Sequence, residues 1–119
     1  MEKFMLIVRE DLDRIGRLTT EQRFSESPDM NGWVNSLIES GNYIEGQPLA
    51  IVGTYVTRDG VDSDGPFIHA KEGISGYDLI YAENLEHAVA IAKTCPMVKQ
   101  GFAIREVRPF QEFIIVDPE

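Results

Sequence analysis

The sequence predicts an α+β fold: an antiparallel sheet with two helices on one of its faces. Three observations predict it: two capped helical patterns that each carry one apolar stripe, short β-rich runs around them, and the order strand, helix, strand, strand, helix, strand. At 119 residues the chain reads most simply as a single domain spanning 1–119, long enough to bury a core without disulfides or a structural metal.

The first run, "KFMLIVRE", is too brief for an independent helix and ends in charge, so a strand is expected from about Phe4 to Arg9. Both of its alternating faces are apolar, which predicts burial on both sides. Thr19 to Glu26 is polar and reads as either an extra helical turn or a loop. In "SPDMNGWVNSLIESGNY" Ser27 suits a cap, Pro28 the first helical position, Asp29 the positive helix end and Gly41 the stop. Met30, Trp33, Val34, Leu37 and Ile38 form one stripe. Pro48 to Thr57, rich in β-branched and aromatic residues, is the expected second strand, turning at Asp59-Gly60. A third strand is expected from about Ser75 to Ala82, with Tyr77, Leu79 and Tyr81 on one face and Asp78, Ile80 and Ala82 on the other. "NLEHAVAIAKTCP" is the second helix, capped by Asn84 and ended before Pro96, with the stripe Leu85, Ala88, Val89, Ala92 and Cys95. "FAIREVRPF" is a long final strand, and "FIIVD" adds a possible edge strand.

This order is the split βαβ pattern of the ferredoxin-like fold, βαββαβ, with both helices on one sheet face. The strands are apolar on their other face too, and no helix is left to cover it. A second copy is the simplest cover, so a homodimer with sheets face to face is expected, a dimeric α+β barrel.

Composition narrows the partners. Apolar content of 43% and charged content of 26% fit a globular chain, and the net charge of −9 with scattered Lys and Arg disfavours nucleic acid and anionic membranes. No apolar run approaches the ~20 residues of a membrane span, and "MEKFMLIVRED" is a poor signal peptide, so a cytoplasmic protein is expected. Cys95 is the single cysteine; its place on the helical stripe makes it a packing residue rather than a nucleophile.

The stretch "DSDGPFIHAKEGISGY", Asp62 to Tyr77, concentrates polar chemistry. As a calcium loop it fails. With Gly65 at the obligatory glycine, Gly60 and Lys71 fall where carboxylates are required. His69 and His87 are not at metal-ligand spacing, and neither a metal nor a cofactor is expected. Asp64 has two readings: a carboxylate held in fixed orientation by Gly65 and Pro66 for acid-base work, or an acceptor of backbone amides in an Asx-type turn. Arg9 ends the first strand, while Arg105 and Arg108 lie on the last, its expected neighbour. Turned inward beside Tyr55 or Tyr77, such guanidiniums would make an anion-receptive pocket; turned outward, they are solvated. Arg105 and Glu106 must point to opposite faces.

Asp64-Gly65-Pro66-Phe67, then Lys71-Glu72, Gly76-Tyr77 opening a strand, "LEHAVAIAKTCP" and "IREVRPF" follow one another in an order and spacing that resemble the DGPF-domain branch of the YCII-related family. The likeness runs from "MLIV" through Pro109. It implies a dimeric α+β barrel and a pocket between sheet and helices, and some relatives are encoded near, or fused to, extracytoplasmic-function sigma factors. It implies no particular reaction. The family's proposed site pairs a histidine near the start of the first helix with an aspartate of the central loop. Asp64 matches the aspartate; Met30 stands at the histidine position and cannot transfer a proton; His69 lies where DGPF-type relatives tend to have Glu.

Two function classes follow. One is a dimeric module that binds an organic acid or another metabolite, with a possible regulatory role and with Arg9, Met30, Tyr55, Phe67, Arg105 and Arg108 as candidate ligand contacts. The other is a cofactor-independent enzyme of isomerase or lyase type, with Asp64 as base and His69 or an arginine polarising the substrate.

Overall fold

The computed structural model describes residues 1–26, 28–62 and 73–111. In chain order its elements are β1 (Glu2–Glu10), α1 (Leu12–Gly16), α2 (Thr20–Glu26), α3 (Asn31–Glu39), β2 (Tyr43–Pro48), β3 (Tyr55–Thr57), β4 (Gly60–Asp62), β5 (Gly73–Ala82), α4 (Leu85–Lys93), α5 (Pro96–Lys99) and β6 (Ile104–Pro109). The main sheet runs β2-β5-β1-β6 with every neighbouring pair antiparallel. That is the ferredoxin-like arrangement expected from the order of strands and helices. β3 and β4 form a separate two-stranded ribbon.

β1 is central because both its faces can be buried. Phe4, Leu6 and Val8 are buried on the helix side, and Met5 and Ile7 are half-buried on the other. Phe4 and Leu6, with Ile80 and Ala82 of β5, meet Trp33 and Leu37 of α3, Ala88, Ile91 and Ala92 of α4, and Cys95. Burial of these side chains supplies most of the drive to fold, about 1.5–3 kcal/mol for each large one. The Cα extents of 45 × 43 × 19 Å leave room for two layers in the thinnest direction.

The ends of the helices follow from their capping residues. Gly41 has φ 79°, and its N–H donates to Ile38 O while the Asn42 N–H donates to Leu37 O. This pairing ends α3 in a Schellman motif, at the glycine expected to stop it. The Asn84 side chain accepts from the His87 N–H and caps α4, also as expected. Thr19 and Gln22 exchange side-chain and backbone hydrogen bonds in a capping box, which makes 20–26 a helix rather than a loop. Trp33 Nε1 donates to Thr94 Oγ1 at 2.8 Å, locking α3 against the end of α4.

Several expectations are corrected. The second strand of the sheet is Tyr43–Pro48, not Pro48 to Thr57. Asn42 leaves the Schellman turn already paired to β5, its O accepting from the Tyr81 N–H and its side chain donating to Tyr81 O. Pairing therefore starts at once, ahead of the more β-prone residues. Tyr55–Thr57 instead forms the ribbon, whose turn is Arg58-Asp59, one residue earlier than expected, because Gly60 already pairs with Thr57. α3 starts at Asn31, three residues beyond the expected proline, and Asp29 Oδ1 accepts the Asn31 N–H. Ile38 is exposed, so the stripe of α3 is narrower than periodicity suggested, while on α4 Leu85 is exposed and Ile91 buried, so its stripe is shifted. The polar connector after β1 holds α1, whose Leu12 and Ile15 are buried. Pro96 opens the short α5 rather than merely ending α4. "FIIVD" lies outside the described residues. Among the described residues no helix is long and apolar enough to cross a membrane.

Candidate functional site

Strand parity puts Asp78 on the helix side of β5, with Ile80 and Ala82. Its antiparallel partner on β1 is Leu6, and one strand further on Arg105 projects from the same face of β6. Arg105 reaches back across β1. Its Nη1 donates to Asp78 Oδ2 at 2.6 Å and to Leu6 O at 3.3 Å, and its Nη2 lies 3.5 Å from Cys95 Sγ. The guanidinium carbon sits 5.1 Å from the Trp33 ring centroid, a cation–π contact. Arg105 Nε is buried with no hydrogen-bond partner among the described residues. On the other side Tyr43 of β2 donates its O–H to Asp78 Oδ1 at 2.6 Å. The side chain of Arg105 is 3% exposed and that of Asp78 12%, so charge is held under the helices only because each ion satisfies the other.

The phenol of Tyr43 is pushed well above its usual range, first by burial, then by its hydrogen bond to Asp78 and the negative charge there. It is therefore a neutral donor, not a base. Gly46 of β2 makes room for this arrangement: a Cβ there would stand 2.0 Å from Asp78 Oδ1 and 2.4 Å from the Tyr43 oxygen. A glycine is needed because a side chain would occupy the place of the carboxylate.

Beside this network lies a cavity of about 350 Å3. Val8, Pro28, Met30, Val34, Pro48 and Met97 give it apolar walls. Glu10, Arg23, Gln47, Ser75, Asp78 and Arg105 give it polar ones. Glu10 is anchored by a hydrogen bond from the Ser75 hydroxyl. Ser75 is positioned by an irregularity in register, where Val8 faces Gly76 and Arg9 faces Ile74.

Of the residues expected to form a site, Met30 and Arg105 line this cavity; Tyr77 borders it too, although strand parity turns its side chain to the opposite sheet face. Arg9 and Arg108 lie on the opposite sheet face. There Arg9 Nε donates to Glu106 Oε1 at 2.8 Å and Arg108 Nη1 to Glu106 Oε2 at 2.9 Å. The two arginines hold the Glu106 carboxyl below its usual range. Tyr55 is on the β3–β4 ribbon, 44% exposed. Asp64, Phe67 and His69 lie outside the described residues. Asp78, Tyr43, Glu10, Ser75 and Gly46 were not singled out from the sequence. The usable signal was Asp78, a charge at an inward position of an otherwise apolar strand. Cys95 is fully buried as a packing residue, and among the described residues no His, Cys, Asp and Glu cluster could hold a metal.

Two predictions follow from the geometry. Asp78→Asn leaves Arg105 buried without a counter-ion and should lower stability in urea unfolding by about 3–5 kcal/mol, whereas Glu106→Gln, with both arginines near water, should shift the midpoint far less. The second concerns alkali. With its folded pKa raised above the unfolded value, Tyr43 contributes stability that is complete below pH ~10 and is lost as pH rises through the folded pKa. In a spectroscopic titration of the folded protein one tyrosine should ionise after the others, and Tyr43→Phe should remove that late step.

A comparison with curated proteins gives no match. The family model described as YCII-related domain matches residues 3–111, from the first strand of the sheet past the last. A match across nearly the whole chain, on a ferredoxin-like sheet with a cavity beneath its helices, establishes that the protein belongs to the YCII-related domain family.

Proposed function

We propose that the chain is a small-molecule-binding domain that takes an organic metabolite in the cavity between the β2–β5 side of the sheet and α2, α3 and α5. The observation that carries this reading is the cavity's construction: apolar walls at Met30, Val34 and Met97 beside a buried, fully oriented Asp78–Tyr43–Arg105 network. Its volume of about 350 Å3 lies at the small end of the range for organic ligands, and a few convergent polar groups on an apolar lining are what such sites use for orientation. Binding is favoured over acid-base chemistry at these residues because both Asp78 oxygens already accept strong bonds and Tyr43 is held protonated. A general base needs a lone pair aimed at the substrate proton.

A second copy on the outer sheet face completes the proposed module. Met5, Ile7, Tyr77 and Leu79 are neighbours there through the β1–β5 register, with the exposed Ile74, Tyr81 and Ile104 around them. Among the described residues this side lacks the two-helix cover of the other, and two such faces related by a two-fold axis would bury each other.

Each half has its own test. In an amide-detected NMR fragment screen, hits should map to residues around Met30, Gln47 and Gly76, and Met30→Trp should abolish them by filling the cavity. Hits confined to the shallow groove that Trp33, Ser40 and His87 line between α3 and α4 would sink the cavity reading. Light scattering at micromolar concentration should return twice the chain mass, and Ile7→Glu should return the mass of one chain. A wild-type monomer would refute the paired sheets.

A further inference from the structure

Arg23 differs from every other arginine of the protein. Arg9, Arg17, Arg58, Arg105 and Arg108 each pair with a carboxylate, and Arg14 lies against the Phe102 ring. The side chain of Arg23, a half-buried residue of α2, has no hydrogen bond, ion pair or ring contact among the described residues, yet the residue lines the cavity. Glu10 lines the same cavity, and no ion pair joins the two. A guanidinium partly withdrawn from water is costly without an anion, and its planar fork suits a carboxylate.

We infer that Arg23 receives the carboxylate of the cavity's ligand, and that the ligand is a small monocarboxylic acid with an apolar body. This rests on the cavity being a binding site, and adds the charge and chemical class of what enters it. From a carboxylate on Arg23 the apolar body runs over Pro28, Met30, Val34 and Met97. A second carboxylate would meet Glu10 or Asp78, so dicarboxylates are disfavoured by like charge. The arginine sits on a short helix whose capping box, Thr19 with Gln22, fixes its start independently of the Arg23 side chain.

Hexanoate, hexanamide and adipate test this on the full chain by NMR titration, against wild type, Arg23→Gln and Arg23→Lys. Hexanoate should bind wild type with a Kd of about 1 mM, as befits a ligand of its size. Hexanamide and adipate should bind ~10-fold more weakly, and Arg23→Gln should lose ~10-fold for hexanoate while leaving hexanamide unchanged. Arg23→Lys should recover part of the loss, since it keeps the charge without the fork. Equal binding of hexanoate and hexanamide, or an unchanged hexanoate Kd in Arg23→Gln, would overturn the role of Arg23 and leave the cavity reading intact. If neither hexanoate nor hexanamide shifts the cavity amides, both readings fall.

Discussion

The ion pair between Arg105 and Asp78 is the constraint around which the rest of the molecule is arranged. Its two residues stand on β6 and β5, strands that do not touch, and the bond passes over β1, taking the Leu6 carbonyl on the way. Tyr43 carries the same network to β2. Four strands are thereby tied through side chains as well as through their ladders. A slip of one residue in any of them would turn a partner to the opposite face and leave a charge buried alone. The hydrophobic ladder alone specifies this less sharply, because β1 is apolar on both sides.

Much of the neighbouring sequence follows from that pair. The helices that cover it supply an aromatic face at Trp33 and a soft acceptor at Cys95, groups that accommodate a guanidinium without competing for its counter-ion. β2 passes with a glycine at 46, since the carboxylate and the phenol occupy the space a side chain would need. The cavity sits where the network meets the irregular stretch of β5 at Ser75 and Gly76. The polar groups of the candidate site are therefore held in place by the same bonds that set the sheet.

What could be read in the sequence was what local chemistry decides. Gly41 ends α3 because only a left-handed turn closes the Schellman pair, and Asn84 starts α4 because its side chain can satisfy a free N–H. The ribbon turn, found at Arg58-Asp59 beside the Asp59-Gly60 dipeptide that signals it, is likewise local. β2 was misplaced because its residues, "YIEGQP", are chosen by tertiary contact: Gly46 by the Asp78 carboxylate, Tyr43 by the hydrogen bond it donates, Pro48 by its place at the end of an edge strand. β-Propensity pointed instead to Pro48–Thr57, most of which pairs with nothing in the main sheet. Parity showed that Arg105 and Glu106 face apart but not which faces inward. Asp78 settles that, on the face it shares with Ile80 and Ala82, because only one of the two can answer a buried carboxylate.

The two faces of the sheet use the same guanidinium–carboxylate chemistry with different consequences. On the inner face Arg105 and Asp78 are almost closed to water, so screening is weak and removal of either partner strands a charge. On the outer face Arg9 and Arg108 share Glu106 with water within reach of all three, so the cluster orients strand ends more than it holds them together. A second copy laid over that face would withdraw the cluster from water and bring it closer to the inner regime. Strength there would then depend on assembly and on salt, while the inner pair would respond to neither. The cavity opens on the inner side, where Arg23 lines it with no ion pair among the described residues and would take the ligand's carboxylate.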